Sequence, residues 1–207
     1  MGGLRESKKR ETRERISDIA TALFVERGFD AVTIDEIATA ARVSKVTVFN
    51  YFSRKEDLFF DRGREDYELV WQALAERGPK VSVLRALQLL VHRLVKEDNP
   101  LVSFDDVIQK FWRTAKESAA LRARARELRS EFQRALCDML EEAGREDAAL
   151  VAGMLVSAWC VAFSSALRRR SAGAGIAASR KEFLRILDQG FAVLQRGLLP
   201  DEDAPSG

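Results

Sequence analysis

The sequence predicts an all-α fold of about nine helices, on three observations. Ala, Leu, Arg and Glu are plentiful, whereas only four prolines and twelve glycines interrupt 207 residues, a composition that favours helix over strand. Apolar residues recur three and four apart along most of the chain. Several of these stretches open on Ser or Thr followed three residues later by Glu or Asp, the pattern of a capped helix start, and close on Gly, Pro or clustered Arg. An apolar content of 46% is enough for a real core, and neither an internal repeat nor a sustained heptad is present.

Ile16, Ile19, Ala20, Leu23 and Phe24 mark the first helix, and Gly28 stands where a C-terminal glycine cap belongs. Thr33-Ile34-Asp35-Glu36 is a capping box, in which the threonine hydroxyl and the Glu36 carboxylate each satisfy a backbone N–H of the other. It starts a short second helix with Ile34, Ile37, Ala38 and Ala41 inward. Ser44 caps a short third helix, and Val48 and Phe52, four apart, share its core face. Ser53 and Glu56 repeat the capping spacing and predict a long fourth helix to about residue 77, where Gly78 and Pro79 stop it.

A fifth helix is predicted over 81–96, with Leu84, Leu87, Gln88, Val91, Leu94 and Val95 as its inner stripe. Ser103 with Asp106 suggests the start of the sixth, which carries Val107, Ile108, Phe111 and Trp112, and the seventh spans 118–143. The eighth is the uncharged run 148–167, closed by Arg168, Arg169 and Arg170 where positive charge suits a helix C-terminus. Ser179 and Glu182 suggest the start of the last helix, whose stripe is Phe183, Ile186, Leu187, Gly190, Phe191 and Leu194; residues 201–207 read as a disordered tail.

The run 148–167 meets the length rule for a membrane span. It is diluted by Ala, Gly and Ser and stands alone, so a helix buried between other helices or subunits is preferred, with a membrane-associated helical protein kept as a rival. The N-terminus is charged and lacks the apolar stretch of a signal peptide, and Cys137 and Cys160 form no Cys-x-x-Cys pair, so a reducing cytoplasm is expected. With His92 as the only histidine, one chain builds no histidine triad and no multi-histidine metal site. No phosphate-binding glycine pattern is present; neither an enzyme nor a cofactor is expected, although an unrecognised helical enzyme stays open.

The net charge of +2 says little by itself. Residues 1–55 carry eleven Lys/Arg against eight Asp/Glu, and 42–55 carry four basic residues and no acid. Two short capped helices around a tight turn, the second bearing this basic excess, have the design of a helix-turn-helix. The stretch IDEIATAARVSKVTVFNYFSRKEDLFF, residues 34–60, resembles the DNA-binding signature of the TetR family through Ile37, Ala38, Ala41, Val43, Ser44, Thr47, Tyr51, Phe52, Lys55 and Leu58, with Gly28-Phe29 before it. Arg42, Val46, Val48, Phe49 and Tyr51 depart from the family's frequent Gly, Gly, Leu, Tyr and His, so the operator cannot be borrowed from a relative.

Lys45 is the best base-contact candidate, because an ammonium near the start of the reading helix donates to guanine O6 or N7. Val46 and the ring of Phe49 suit a thymine methyl or sugar. The resemblance assigns Thr33, Thr47, Tyr51 and Lys55 to backbone phosphate, and Ser44, Arg42 and Asn50 complete the expected DNA-binding set. The basic residues Lys8, Lys9 and Arg10 form either a DNA-reaching arm or a solubilising one.

Division into a helix-turn-helix domain at 1–55 and a ligand-sensing and dimerisation domain at 56–200 follows. The resemblance implies a homodimer on a near-palindromic double-stranded operator, paired through its last two helices. Ala152, Gly153, Ser157, Phe183, Leu187 and Phe191 are the candidates for that interface, against the alternative that they fill only the chain's own core. It further implies a pocket for a small molecule, apolar or aromatic by the supply of Trp71, His92, Phe104, Phe111, Trp112, Trp159 and Phe163. Each aromatic is equally at home in a core. The expected function is a repressor released by that ligand, with an activator or a ligand-independent DNA-binding protein as alternatives.

Overall fold

A computed structural model describes residues 2–61 and 65–197, and among them are ten α-helices and no strand. The helices are α1 (Gly2–Arg27), α2 (Ile34–Ala40), α3 (Lys45–Tyr51), α4 (Lys55–Phe59) and α5 (Glu65–Ala75), then α6 (Val83–Lys96), α7 (Asp106–Glu117), α8 (Ala119–Glu142), α9 (Ala148–Ser171) and α10 (Ile176–Gly197). The tail expected at 201–207 lies outside the described residues.

The chain divides into two compact units, Met1–Arg64 with Lys110–Arg126, and Glu65–Gln109 with Glu127–Gly207. The first unit therefore takes in the end of α7 and the start of α8 besides the N-terminal helices expected for a DNA-binding head. Ile16, Ala20 and Phe24 of α1, Ile37 of α2 and Val48 of α3 meet Phe52 and Leu58 in its core. Phe24, Phe29 and Phe59 interlock there at centroid distances of 4.8, 6.1 and 6.5 Å. Burial of each such side chain contributes about 1.5–3 kcal/mol. Polar links close the same core: Ser17 donates to the Leu58 carbonyl at 3.1 Å. Arg13 donates to Asp61 at 2.8 Å and to the Tyr51 carbonyl at 2.7 Å, with its guanidinium 4.4 Å from the centre of the Phe52 ring.

Four local expectations are corrected. The helix expected from 53 to 77 is two, α4 and α5, and the N-cap of α4 is Arg54, without a side-chain capping hydrogen bond, rather than Ser53. Phe59 stacks on Phe111 at 4.1 Å while its neighbour Phe60 meets the same ring edge-on at 6.0 Å. Adjacent residues of a continuing helix point about 100° apart and do not share a partner in this way, so this packing favours a break after Phe59. The basic triplet Lys8, Lys9 and Arg10 lies on exposed helix within α1 rather than in an irregular segment. Asp105, not Ser103, accepts from the Ile108 N–H at 2.8 Å to cap α7. Finally, α10 begins at Ile176, and Ser179 lies buried inside it, donating back to the Gly175 carbonyl at 3.2 Å.

In the second unit Val151 and Ala152 of α9 share a core with Leu84 of α6, Leu140 of α8 and Phe191 of α10. α9 is long and apolar enough to cross a membrane by length and composition, yet Val151, Ala152, Leu155, Val156, Ala162 and Ala166 are buried inside the fold. α9 and α10 approach closely at Gly190, where a Cβ would stand 2.9 Å from that of Ala158.

Candidate nucleic-acid interface

The capping box at Thr33 forms as its spacing predicts. Thr33 Oγ1 accepts from the Glu36 N–H at 3.3 Å, and Glu36 Oε2 accepts from the Thr33 N–H at 2.8 Å and from its hydroxyl at 2.9 Å. Arg27 adds a contact to the same carboxylate at 2.7 Å. The Thr33 backbone N–H first, then Arg27 and the Thr33 hydroxyl, hold the Glu36 carboxyl down at about 2, from 4.5.

Past Ala41 the chain turns through Arg42, whose φ is +54°. The Arg42 N–H donates to the Thr39 carbonyl at 3.1 Å and the Val43 N–H to the Ala38 carbonyl at 3.0 Å, a Schellman termination. This left-handed residue explains why glycine is frequent here in the resembling sequences: only glycine adopts it without a Cβ clash. Ser44 then caps α3 by accepting from the Thr47 N–H at 3.0 Å, and its hydroxyl lies 2.8 Å from that of Thr47.

Helix α3 divides cleanly. Val48 and the following Phe52 are buried, whereas Lys45, Val46, Phe49 and Asn50 face solvent together with Arg42 and Ser44. Val46 is 67% exposed and Phe49 49%, so two apolar side chains stand in the exposed row with no core to fill. Thr47 and Tyr51 are half-buried at its edge. Thr33 stands apart, with its N–H and hydroxyl both engaged by Glu36. Lys55 also turns away: its ammonium donates to the Phe29 carbonyl at 2.6 Å and lies 4.3 Å from the Phe29 ring centre. Burial pushes its pKa below the ordinary lysine value.

Asp35 was not among the sequence candidates, yet its carboxylate meets the Lys45 ammonium at 2.8 Å. A pair ten residues apart on two different helices leaves no periodic signal in a sequence. Arg13 was likewise missed, because its partners Asp61 and Tyr51 lie far along the chain.

The candidate ligand residues are divided between the two units. Phe104 is fully buried at a φ of +53° and packs 5.1 Å from Phe163 and 5.4 Å from Phe183, and Trp159 meets Phe183 edge-on at 5.1 Å. Phe111 and Trp112 belong instead to the first unit, against Phe59 and Phe60. Trp71 is 50% exposed, and the His92 imidazole lies 2.9 Å from Asp188.

Of the dimer candidates, Ala152, Phe183, Leu187 and Phe191 are buried in the chain's own core. The reason is helical geometry: Phe183, Leu187 and Phe191, four apart, share the inward stripe of α10. Gly153 and Ser157 instead line an open groove of about 590 Å³ with Leu150, Gln189, Gly190 and Val193.

Comparison with known proteins agrees with the residues. Positions 16–61 match the family of bacterial regulatory proteins, tetR family. The HTH-type transcriptional regulator AcrR of Shigella flexneri is 36% identical over 90 residues, covering 41% of this chain and 40% of AcrR. The HTH-type transcriptional repressor AcnR of Corynebacterium glutamicum is 30% identical over 80 residues, 39% of this chain and 42% of AcnR. The chain thus aligns with about two fifths of the length of these curated relatives. Solved structures extend the likeness in fold. A putative TetR-family regulator from Mesorhizobium loti superposes with a TM-score of 0.56 at 21% identity over 89% of this chain and 96% of its own. FadR of Thermus thermophilus, a TetR-family repressor in complex with lauroyl-CoA, gives 0.55 at 25% identity over 94% and 98%. Residues 16–61 thus carry the helix-turn-helix of the bacterial tetR family, and along most of its length the chain shares the helical fold of these TetR-family structures.

Proposed function

We propose that the protein is a homodimeric repressor that binds a near-palindromic double-stranded DNA operator through α3 and leaves it when a small molecule binds. The observation that carries the DNA-binding part is the exposed row Arg42, Ser44, Lys45, Val46, Phe49 and Asn50 on and before α3, opposite the buried Val48. Lys45 donates to guanine, Val46 and Phe49 press on thymine methyls, and Thr47 and Tyr51 fix the register on phosphate. Thr33 and Lys55 are assigned to holding the head together rather than to phosphate.

A single reading helix covers few base pairs, and pairing two heads about 34–36 Å apart supplies the rest. The groove of α9 and α10 is the surface proposed for that pairing, because Leu150 and Val193 stand 53% and 52% exposed beside it. A small-molecule ligand is supported by relatives: FadR is described with lauroyl-CoA, an apolar acyl chain on a charged carrier, and SmeT with triclosan. An apolar or aromatic compound is accordingly the proposed ligand class here, and the cytoplasm the proposed location. The domain division is proposed as a head within 1–64 and a sensing and pairing region beyond it.

Selection of bound fragments from genomic DNA tests this reading, followed by footprinting and transcription from the recovered promoters. The expected result is a protected inverted repeat and lowered transcription. Stimulated transcription would replace repression by activation, and recovery of no preferred sequence would overturn DNA recognition.

A further inference from the structure

Asp35 is the second residue of α2, and its side chain is 67% exposed. Its carboxylate lies 2.8 Å from the ammonium of Lys45, the first residue of α3 and itself 52% exposed. A solvated pair of this kind contributes little to folding. Residues 34–55 hold two acids, Asp35 and Glu36; Glu36 is taken up by Thr33 and Arg27, which leaves Asp35 as the carboxylate paired with the reading helix. Near DNA it carries a cost in every register, since phosphate repels it. Only the base edges offer it a partner, because a G·C pair presents the guanine acceptors O6 and N7 beside the donor N4 of cytosine.

We propose that Asp35 is a positioning and specificity-determining residue, which reserves the Lys45 ammonium for a guanine edge and withholds it from backbone phosphate. The proposal rests on the DNA-binding reading above. An ammonium has three protons. With one on Asp35, two remain for O6 and N7, and their direction is set from α2 rather than by a free four-carbon stem. On an unspecific duplex the same lysine is already neutralised, so it displaces no further counterion from phosphate, and the Asp35 charge is repelled. Specificity therefore comes partly from weakening the wrong complex.

The test compares wild type, Asp35→Asn and Asp35→Glu, with circular dichroism confirming the fold. Each binds a duplex selected from a random pool and a scrambled duplex across a series of salt concentrations. Asp35→Asn frees the lysine, so scrambled-duplex affinity at low salt is expected to rise about three- to tenfold. The plot of log affinity against log salt steepens by about 0.9, the value for one more phosphate contact. Guanine preference at the Lys45 position relaxes, and Asp35→Glu restores both. A folded Asp35→Asn protein with unchanged slope and unchanged ratio of selected to scrambled affinity would overturn the proposal.

Lys45→Met gives an independent check should Asp35→Asn not fold. It is expected to lose the guanine preference at that position; a folded Lys45→Met protein that keeps the preference overturns the proposal. Failure of the wild type to enrich any sequence would overturn the DNA-binding reading itself and this assignment with it, a result distinct from wild-type enrichment with an indifferent Asp35 variant.

Discussion

Lys55 sets its ammonium 2.6 Å from the carbonyl oxygen of Phe29, across twenty-six residues of chain, tying the start of α4 to the loop that follows α1. Family resemblance points to phosphate at this position, whereas the geometry describes a brace. Loss of this charge-assisted bond in Lys55→Ala is expected to lower the stability of the protein by about 1–2 kcal/mol. The urea midpoint reads it. An unchanged midpoint with affinity reduced equally for all DNA sequences would return Lys55 to the phosphate backbone.

Arg42 holds a φ of +54° in an exposed turn. A left-handed residue other than glycine costs about 1–2 kcal/mol, of which glycine gives back part to its own backbone entropy. Arg42→Gly is therefore expected to raise stability by about 0.5–1 kcal/mol, seen as a higher thermal midpoint. A lower midpoint would mean that the arginine side chain contributes more than its backbone costs.

The Glu36 carboxyl titrates at about 2 in the fold, against 4.5 ordinarily. A depressed carboxylate stabilises the fold above its unfolded pKa and loses that contribution as pH falls through the folded value. The stability gap between wild type and Glu36→Gln should accordingly be full above pH about 4.5 and close as pH falls to about 2, in urea titrations over that range. A gap that does not vary across this window would remove the carboxylate charge from the account.

Gly190 leaves a Cβ only 2.9 Å from that of Ala158. Gly190→Ala should force α9 and α10 apart at a cost of about 1–3 kcal/mol, and adding Ala158→Gly should recover part of it. The double-mutant cycle, read from denaturant midpoints, separates this contact from any general effect of removing glycine; additive changes would refute it.

Val193 is 52% exposed on the groove side of α10. Val193→Asp should convert the proposed dimer to a monomer by light scattering without loss of helix content. An unchanged mass would place the pairing surface elsewhere.

Much of the head was legible because its signals are local. Thr33 and Glu36, or Ser44 and Thr47, are three residues apart, and a capping pattern records such contacts directly. Val48 and Phe52 similarly share a face at helical spacing. What was not legible depended on distant partners. Nothing near residue 60 announces a break, since its packing is written at Phe111 and Trp112. The same holds for Lys55, whose partner is Phe29, and for Asp35, whose partner is Lys45. On α10 the apolar stripe was plain in the sequence, but periodicity says only that a face is covered. The chain's own core covers Phe183, Leu187 and Phe191, while Gly190 and Val193 line the groove beside them.

That inward stripe completes its unit from within a single chain, so folding there does not wait for a second copy. In the proposed dimer, subunits built this way are expected to part on dilution and recombine on mixing while still folded. Differently tagged populations of the protein should therefore exchange into mixed pairs without ever passing through the denatured chain.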